Sequence, residues 1–285
     1  MPRASIIVRS MNDIDYIERT LQAITEQKFT DFELVNIDCG STDGTYEIIK
    51  KFNSKKVFQM NPTDYVPGKV LNDMIKECDG KYIVFNNSDC IPQNKIWLEN
   101  LLHPLQKHEN TVAVYGRQIT RPNARPLVVK DGERAFGTDG IARTWKHFFS
   151  LATSAAKHKI LEKHPFNPDI QYSEDVEWSY RMKKKGFEIE YAPDAIVEHS
   201  HNYSLSEVRK RFYNEGYAEG EIYGENVSFF RGVLLSTGAE VLRDLIYLGK
   251  NLDFVSIPHG IIYRILQKYS IYCGRADYFN GKKKR

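Results

Sequence analysis

Three carboxylates and a histidine pair stand where chemistry could be done. Asp38 closes the run FELVNID and is followed by CGSTDG. At that point a carboxylate can accept a hydrogen bond from an imide N–H, or simply bond the backbone of its own turn. Asp89 lies in NNSDCIP, directly after the apolar run YIVF. One carboxylate among small polar groups suits a hard divalent cation, which takes oxygen ligands and can neutralise a diphosphate; a plain solvated turn is the alternative. Asp175 sits in Ser-Glu-Asp at the start of a charged segment with helical character. There a helix dipole stabilises the ionised form and leaves a base able to take a hydroxyl proton, although acids also occupy first turns for stability alone. Glu174 and Glu177 compete for the inward position. His199 and His201 are two residues apart, so on a strand they face one side and could bind a metal or donate to phosphate oxygens; a surface pair is the alternative.

These residues need a scaffold that gathers strand ends. ASIIV (4–8), FELVNID (32–38), KKVFQM and KYIVF (81–85) read as buried strands. Between them, Asn12 and Asp13 can cap a helix carrying Ile14, Ile17, Leu21 and Ile24. TYEIIKKF and a segment near 69–77 also read as helices. Strands alternating with helices predict a mostly parallel sheet wrapped by crossovers, with ligands beyond the carboxyl ends of the strands. Further on, TVAVYGR (111–117) is strand-like, and the Arg/Pro-rich stretch to about Thr144 reads as loop. HFFSLATSA reads as a strand or a strand-to-helix transition. SEDVEWSYRMKKKG reads as a helix, FEIEYAP and AIVEHSH as two short strands, and everything after about Ser206 as helical.

The chain has 285 residues, 41% hydrophobic and 27% charged, as expected of a globular protein. No apolar run reaches the roughly 18 residues of a membrane span. The opening MPRASIIVRS lacks a signal-peptide core, and the four scattered cysteines form no CxxC pair. Both features predict a cytoplasmic chain without a zinc cluster or disulfide framework. The net charge of +3 is unevenly spread. Residues 226–285 hold ten Lys/Arg against four Asp/Glu, leaving the remainder mildly acidic. That basic, amphipathic segment, ending in GKKKR, is expected to meet an anionic surface at the inner membrane leaflet. Completing the core or forming a homodimer contact is the alternative. No nucleic-acid-binding module is present, so no such partner is expected.

Read together, SIIVRSMNDIDYIERTLQAITEQKFTDFELVNIDCGSTDGT, NNSDCIP and SEDVEWSYRMKKKGFEIEYAPDAIVEHSHNYS resemble the family 2 glycosyltransferases, inverting enzymes of the GT-A fold. VYGRQITRP and HSHNYS are similar to a rhamnosyltransferase-like bacterial subgroup, and the resemblance covers about residues 4–215. It implies an α/β, Rossmann-like, mostly parallel sheet flanked by helices over residues 1–205. A helical, basic extension follows over 206–285. It also implies sugar transfer from a nucleotide-diphosphate donor to a hydroxyl of a glycan or lipid-linked acceptor in surface polysaccharide or lipopolysaccharide synthesis, assisted by Mg2+ or Mn2+. A nucleotide-sugar-binding protein of the same fold without turnover is the alternative.

The resemblance assigns Asp175 as base, and Asp89 with His199 to the metal. Arg9, Asp38, Ser41, Lys69, Asn72, Asn87 and Ser88 go to the donor nucleotide. Glu174, Trp178, Arg181 and His201 lie on the acceptor side or behind it. The chain departs from the family pattern at Cys39, where a second Asp is common, and at Asn87-Ser88, the first two metal-motif positions. It departs again at Leu71, where an Arg often precedes Asn; Lys69 is expected to supply that charge.

Overall fold

A computed structural model describes residues 2–138 and 148–282. In chain order the first elements are β1 (Ala4–Ser10), α1 (Ile17–Thr25), β2 (Phe32–Asp38), α2 (Thr45–Ile49), β3 (Lys56–Gln59) and α3 (Pro67–Lys76). Next come β4 (Tyr82–Asn87), β5 (Ile91–Pro92), α4 (Trp97–Lys107), β6 (Thr111–Ile119) and α5 (Pro126–Phe136). They are followed by β7 (Thr153–Lys157), α6 (His158–Lys163), α7 (Glu174–Lys184) and β8 (Glu188–Glu198). The strands form one sheet in the order β3-β2-β1-β4-β7-β6-β8-β5. β1 pairs in parallel with β2 and β4, β2 with β3, and β6 with β8. β7 and β5 run antiparallel to their neighbours. The expected mostly parallel α/β architecture is therefore present, with helices on both faces of the sheet.

Alternation along the strands builds the two faces. Ile6 and Val8 of β1 join one buried cluster with Ile17, Leu21 and Ile24 of α1 and Leu98, Leu101 and Leu105 of α4. Ile7, one residue out of phase, joins the opposite cluster with Val70, Leu71 and Met74 of α3 and Trp178 and Met182 of α7. The registers level the strand ends: Ser10 stands opposite Asp38, and Arg9 opposite Asn87. This alignment gathers the polar loops on one edge.

Four local readings need correction. Helix α1 is capped by neither Asn12 nor Asp13; Tyr16 holds the N-cap without a side-chain bond. The side chain of Asn12 is drawn instead to the Thr42 amide (2.8 Å) and that of Asp13 to buried Ser88, since neighbouring loops offer hydrogen-bond partners. Part of the stretch read as loop to Thr144 is helix α5. Pro126 starts that helix, its fixed φ suiting a first turn; residues 139–147 lie outside the described residues. FEIEYAP and AIVEHSH form one strand, β8. Its register against β6 jumps from Gly116–Ala192 to Arg117–Ile196, so residues 193–195 bulge out. A Cβ on Gly116 would sit 2.5 Å from the Ala195 carbonyl oxygen, which explains the glycine. Finally, β8 stops at Glu198, so His199 and His201 do not share strand alternation.

Cα packing divides the chain into two units. One is drawn from residues 1–121, 132–170 and 174–200; the other from 122–131, 171–173 and 201–285. The second contains α8 (Leu205–Tyr223), a π-helical segment Phe230–Leu235, α9 (Ser236–Lys250) and α10 (Ile257–Phe279). A reciprocal capping box between Ser204 and Glu207 opens α8. α8 and α10 touch backbone to backbone, because a Cβ on Gly216 or Gly274 would lie 2.0 Å from the carbonyl oxygen of Ile271 or Tyr213. Buried Arg264 bonds Asp244 and Asp131, both at 2.7 Å.

Helix α9 ends in a Schellman motif. The Asp253 amide donates to the Leu248 carbonyl (2.9 Å), and the Leu252 amide to that of Gly249 (3.2 Å). The left-handed position that glycine usually fills is held by Leu252, at φ 55°. A side chain there costs about 1–2 kcal/mol.

Candidate active site

The site begins with two loops sewn together. The Asn12 amide donates to Ser41 Oγ (2.9 Å), the Ile14 amide to Asp43 (3.0 Å) and the Asp13 amide to Thr45 Oγ1 (2.9 Å). Asp38, wholly buried, takes the Gly40 and Ser41 amides on Oδ2 at 3.2 and 3.0 Å. This is the turn bond weighed from sequence, and in this conformation Asp38 offers no surface to a base. Cys39 is buried, and that burial pushes its thiol up to about 11, so it is a neutral, weak partner.

Beyond β4 the chain turns through Ser88 and Asp89. The Ser88 amide donates to the Arg9 carbonyl (3.1 Å), and its hydroxyl to the Asp13 carboxylate. Burial raises the Asp13 carboxyl above its ordinary value, and the nearby charge of Asp89 adds to the effect. Asp89, 5% exposed, faces two groups through Oδ2: Arg121 Nη2 and His199 Nε2, each at 3.4 Å. Arg121 also donates to the Asp89 carbonyl (2.6 Å) and lies 3.8 Å over the Tyr16 ring.

The orientation of His199 has a chemical meaning. Its Nδ1 is 2.7 Å from Gln118 Oε1, while Gln118 Nε2 donates to Ser150 Oγ (3.0 Å). In that network Gln118 Oε1 accepts from Nδ1–H, and Nε2 is the ring atom turned to the Asp89 carboxylate. A divalent cation set between Asp89 and His199 would find a ligand atom on each. The ligand atoms of Asp89, Cys90 and His199 lie within 4.8 Å of one another, but burial holds the Cys90 thiol well above its ordinary value and hence protonated. The usable donors are one carboxylate and one imidazole, which fit Mn2+ or Mg2+, the imidazole suiting Mn2+ better.

The third part is the start of α7. Ser173, at φ 62°, turns the chain into Glu174 and Asp175. Glu174 accepts from Arg9 Nη1 (3.3 Å), and Arg9 also bonds the Tyr65 hydroxyl (2.7 Å). Asp175 takes the Val176 amide on Oδ1 (2.8 Å) and the Leu151 amide on Oδ2 (3.3 Å). The helix dipole does not decide its ionisation. Burial, with the charge of Glu174 added, outweighs both amides and raises its carboxyl to about 7. Arg9, Asn87 and Leu151 line one cavity with Leu71, Phe85 and the wholly buried Asn86, whose Oδ1 has no hydrogen-bond partner. That cavity joins the end of β4 to the backbone that holds Asp175.

Several assignments fall away from the cavity. Asn72 clamps α3 to the backbone of Phe166, donating at 2.8 Å and accepting at 2.9 Å, so its amide is already used in bracing. Trp178 is wholly buried; it packs against Phe149 and Phe166 and donates to the His164 carbonyl (2.7 Å), so it is a core residue. Arg181 pairs with Glu177 and donates to the Pro165 carbonyl (2.7 Å), again a brace. Ser41 is tied to Asn12, Lys69 is exposed on the first turn of α3, and His201 stacks on Tyr203 with ring centres 5.2 Å apart.

Sequence reasoning missed Asp13, Gln118 and Arg121. Asp13 read as a helix cap, and Gln118 and Arg121 lay unassigned within VYGRQITRP, which was read only as a likeness to the bacterial subgroup.

Comparison with known proteins adds independent findings. A family model described as "Glycosyl transferase family 2" matches residues 5–167. The O-antigen chain rhamnosyltransferase WbaN of Salmonella anatum is 26% identical over 228 residues, which are 76% of this chain and 72% of that protein. RfbN of Salmonella typhimurium, described in the same words, is 25% identical over 229 residues, 75% of this chain and 71% of its own. The solved mannosyltransferase PcManGT of Pyrobaculum calidifontis superposes with a TM-score of 0.69 at 16% identity, covering 99% of this chain and 88% of the other.

Proposed function

Because the chain belongs to glycosyl transferase family 2, we propose that it is an inverting enzyme. It moves a sugar from a nucleotide-diphosphate donor to a hydroxyl of a glycan or lipid-linked acceptor in bacterial surface polysaccharide synthesis. One observation carries the reading: Arg9, at the end of β1, holds Glu174 beside Asp175, and its cavity also holds the Asn86-Asn87 end of β4. Leu151, which also lines that cavity, donates its amide to Asp175 (3.3 Å), so the proposed base lies directly behind the space that the end of β4 borders.

In this reading Asp175 accepts the acceptor's hydroxyl proton as that oxygen bonds to the anomeric carbon. The bond from that carbon to the diphosphate oxygen breaks on the opposite face, and the nucleoside diphosphate leaves with the electron pair. A carboxyl with a pKa near 7 is well matched to that task, being ionised yet basic at working pH. Asp89 and His199 would hold the divalent ion, and Arg121 fixes Asp89 in place through its carbonyl and carboxylate. When bound, Mn2+ or Mg2+ supplies charge that stabilises the departing diphosphate. Arg9 keeps Glu174 from turning onto Asp175. The role in surface glycans is supported by the two Salmonella O-antigen relatives, and the metal by PcManGT, whose structure holds GDP-Man and Mn2+.

Arg121 on the Asp89 carboxylate favours a second reading, a sugar-nucleotide binder without turnover, since an internal cation already faces the metal-side acid. Donor hydrolysis separates the two. With Mn2+ and a panel of UDP-, dTDP- and GDP-sugars, the enzyme releases nucleoside diphosphate from at least one donor. Release falls when the metal is chelated. Thermal stabilisation by a donor with no release from any of them would leave only the binder.

A further inference from the structure

The tip of the α9–α10 hairpin is built in a way that folding alone does not explain. Leu252, Phe254 and Val255 are 78%, 61% and 91% exposed, three apolar side chains offered to solvent within four residues. Leu252 also takes the left-handed Schellman position, where glycine or asparagine would be free of strain. An apolar side chain kept outward at the cost of strain points to a partner for the tip. The exposed stripe continues down α9 through Ile246, Leu245 and Leu242, spaced at helical intervals.

Charge selects the kind of partner. Residues 226–282 contain seven Lys/Arg and four acids. The acids are all engaged: Glu240 with Arg243 (2.6 Å), Asp244 buried against Arg264 (2.7 Å), Asp253 with the Ser256 amide (3.2 Å) and Asp277 with Lys282 (2.9 Å). Lys250, two residues before the tip, and Arg231 in the π-helical segment are exposed cations. A second copy of the chain would bring these cations against their own kind. An anionic bilayer would neutralise them while taking up the apolar tip. Among the described residues no helix is long and apolar enough to cross a membrane, so contact would be made at the surface. We propose that the Leu252–Val255 tip and the outer stripe of α9 dock on the interface of an anionic lipid bilayer.

Vesicle flotation of the full chain tests this without any assay of activity. Phosphatidylcholine vesicles with and without phosphatidylglycerol are compared at low and high salt. Wild type floats with the anionic vesicles, and less so at high salt. The variant Leu252→Gly/Phe254→Ser/Val255→Ser binds about tenfold or more weakly. Its melting temperature stays at or above wild type, because glycine relieves the strained position. Arg231→Glu/Lys250→Glu loses the preference for anionic vesicles while keeping the tip. The proposal is overturned if wild type stays with the soluble fraction. Equal flotation of the tip variant, or lipid-free self-association that the tip variant abolishes, overturns it as well; the last result would assign the surface to a second copy.

Discussion

Asp175→Asn lowers kcat by about 10²–10⁴-fold, the usual span for loss of a general base, while donor binding changes little. The same substitution stabilises the protein above neutral pH. The Asp175 carboxyl is raised to about 7 when folded, against an ordinary value near 3.8. Between those values the folded state holds a proton that the unfolded state has released. Stability therefore falls as pH climbs toward 7, and asparagine escapes that loss. Melting temperatures at pH 5 and pH 8 read this directly: the advantage of Asp175→Asn appears at pH 8 and fades at pH 5. Wild-type kcat/KM should rise with pH up to about 7 and then level off, as the base sheds its proton. A variant that is both inactive and less stable at pH 8 would mean that Asp175 is structural.

Asp89→Asn is the second large effect, and it acts on two links at once. Arg121 is 7% exposed, and its partner carboxylate disappears. Breaking a buried pair by removing one side costs about 3–5 kcal/mol, because the remaining charge has no compensation. Sugar transfer falls too, since the carboxylate that with His199 would hold the ion is gone. Adding Arg121→Met to Asp89→Asn separates the contributions. The double variant regains most of the lost stability in urea melts but none of the turnover. If stability and turnover recovered together, Asp89 would be no more than the partner of Arg121.

What could be read from the residues divides along a physical line. Ile6, Val8 and Ile17 alternate or recur at the spacing their elements need, so the first sheet strands, their helices and the level of Asp38 with the Asn86–Asp89 loop were legible. Helix α5 was not, because Arg125, Pro126 and Gly132 argue locally for loop, while burial of Leu127 favours helix. Residues 193–195 hid the continuity of β8 for the same reason: Pro193 breaks the local pattern, while pairing with β6 on either side restores it.

Within the site, Asn72 bonds a residue 94 positions away and Arg121 reaches Asp89 across 32. No spacing rule reports such meetings. The ionisation of Asp175 was misread because the dipole of its own helix is visible in sequence, whereas its burial and the charge of Glu174 are properties of the folded neighbourhood.

The decisive measurement is a crystal structure of the chain with Mn2+ and a sugar nucleotide that it hydrolyses, read for anomalous scattering from the manganese. The expected map places the ion against Asp89 and His199, with the sugar in the cavity that Arg9 and Leu151 share, facing Asp175. Manganese elsewhere, or a sugar lying away from Asp175, would contradict the idea that base and diphosphate holder serve one space.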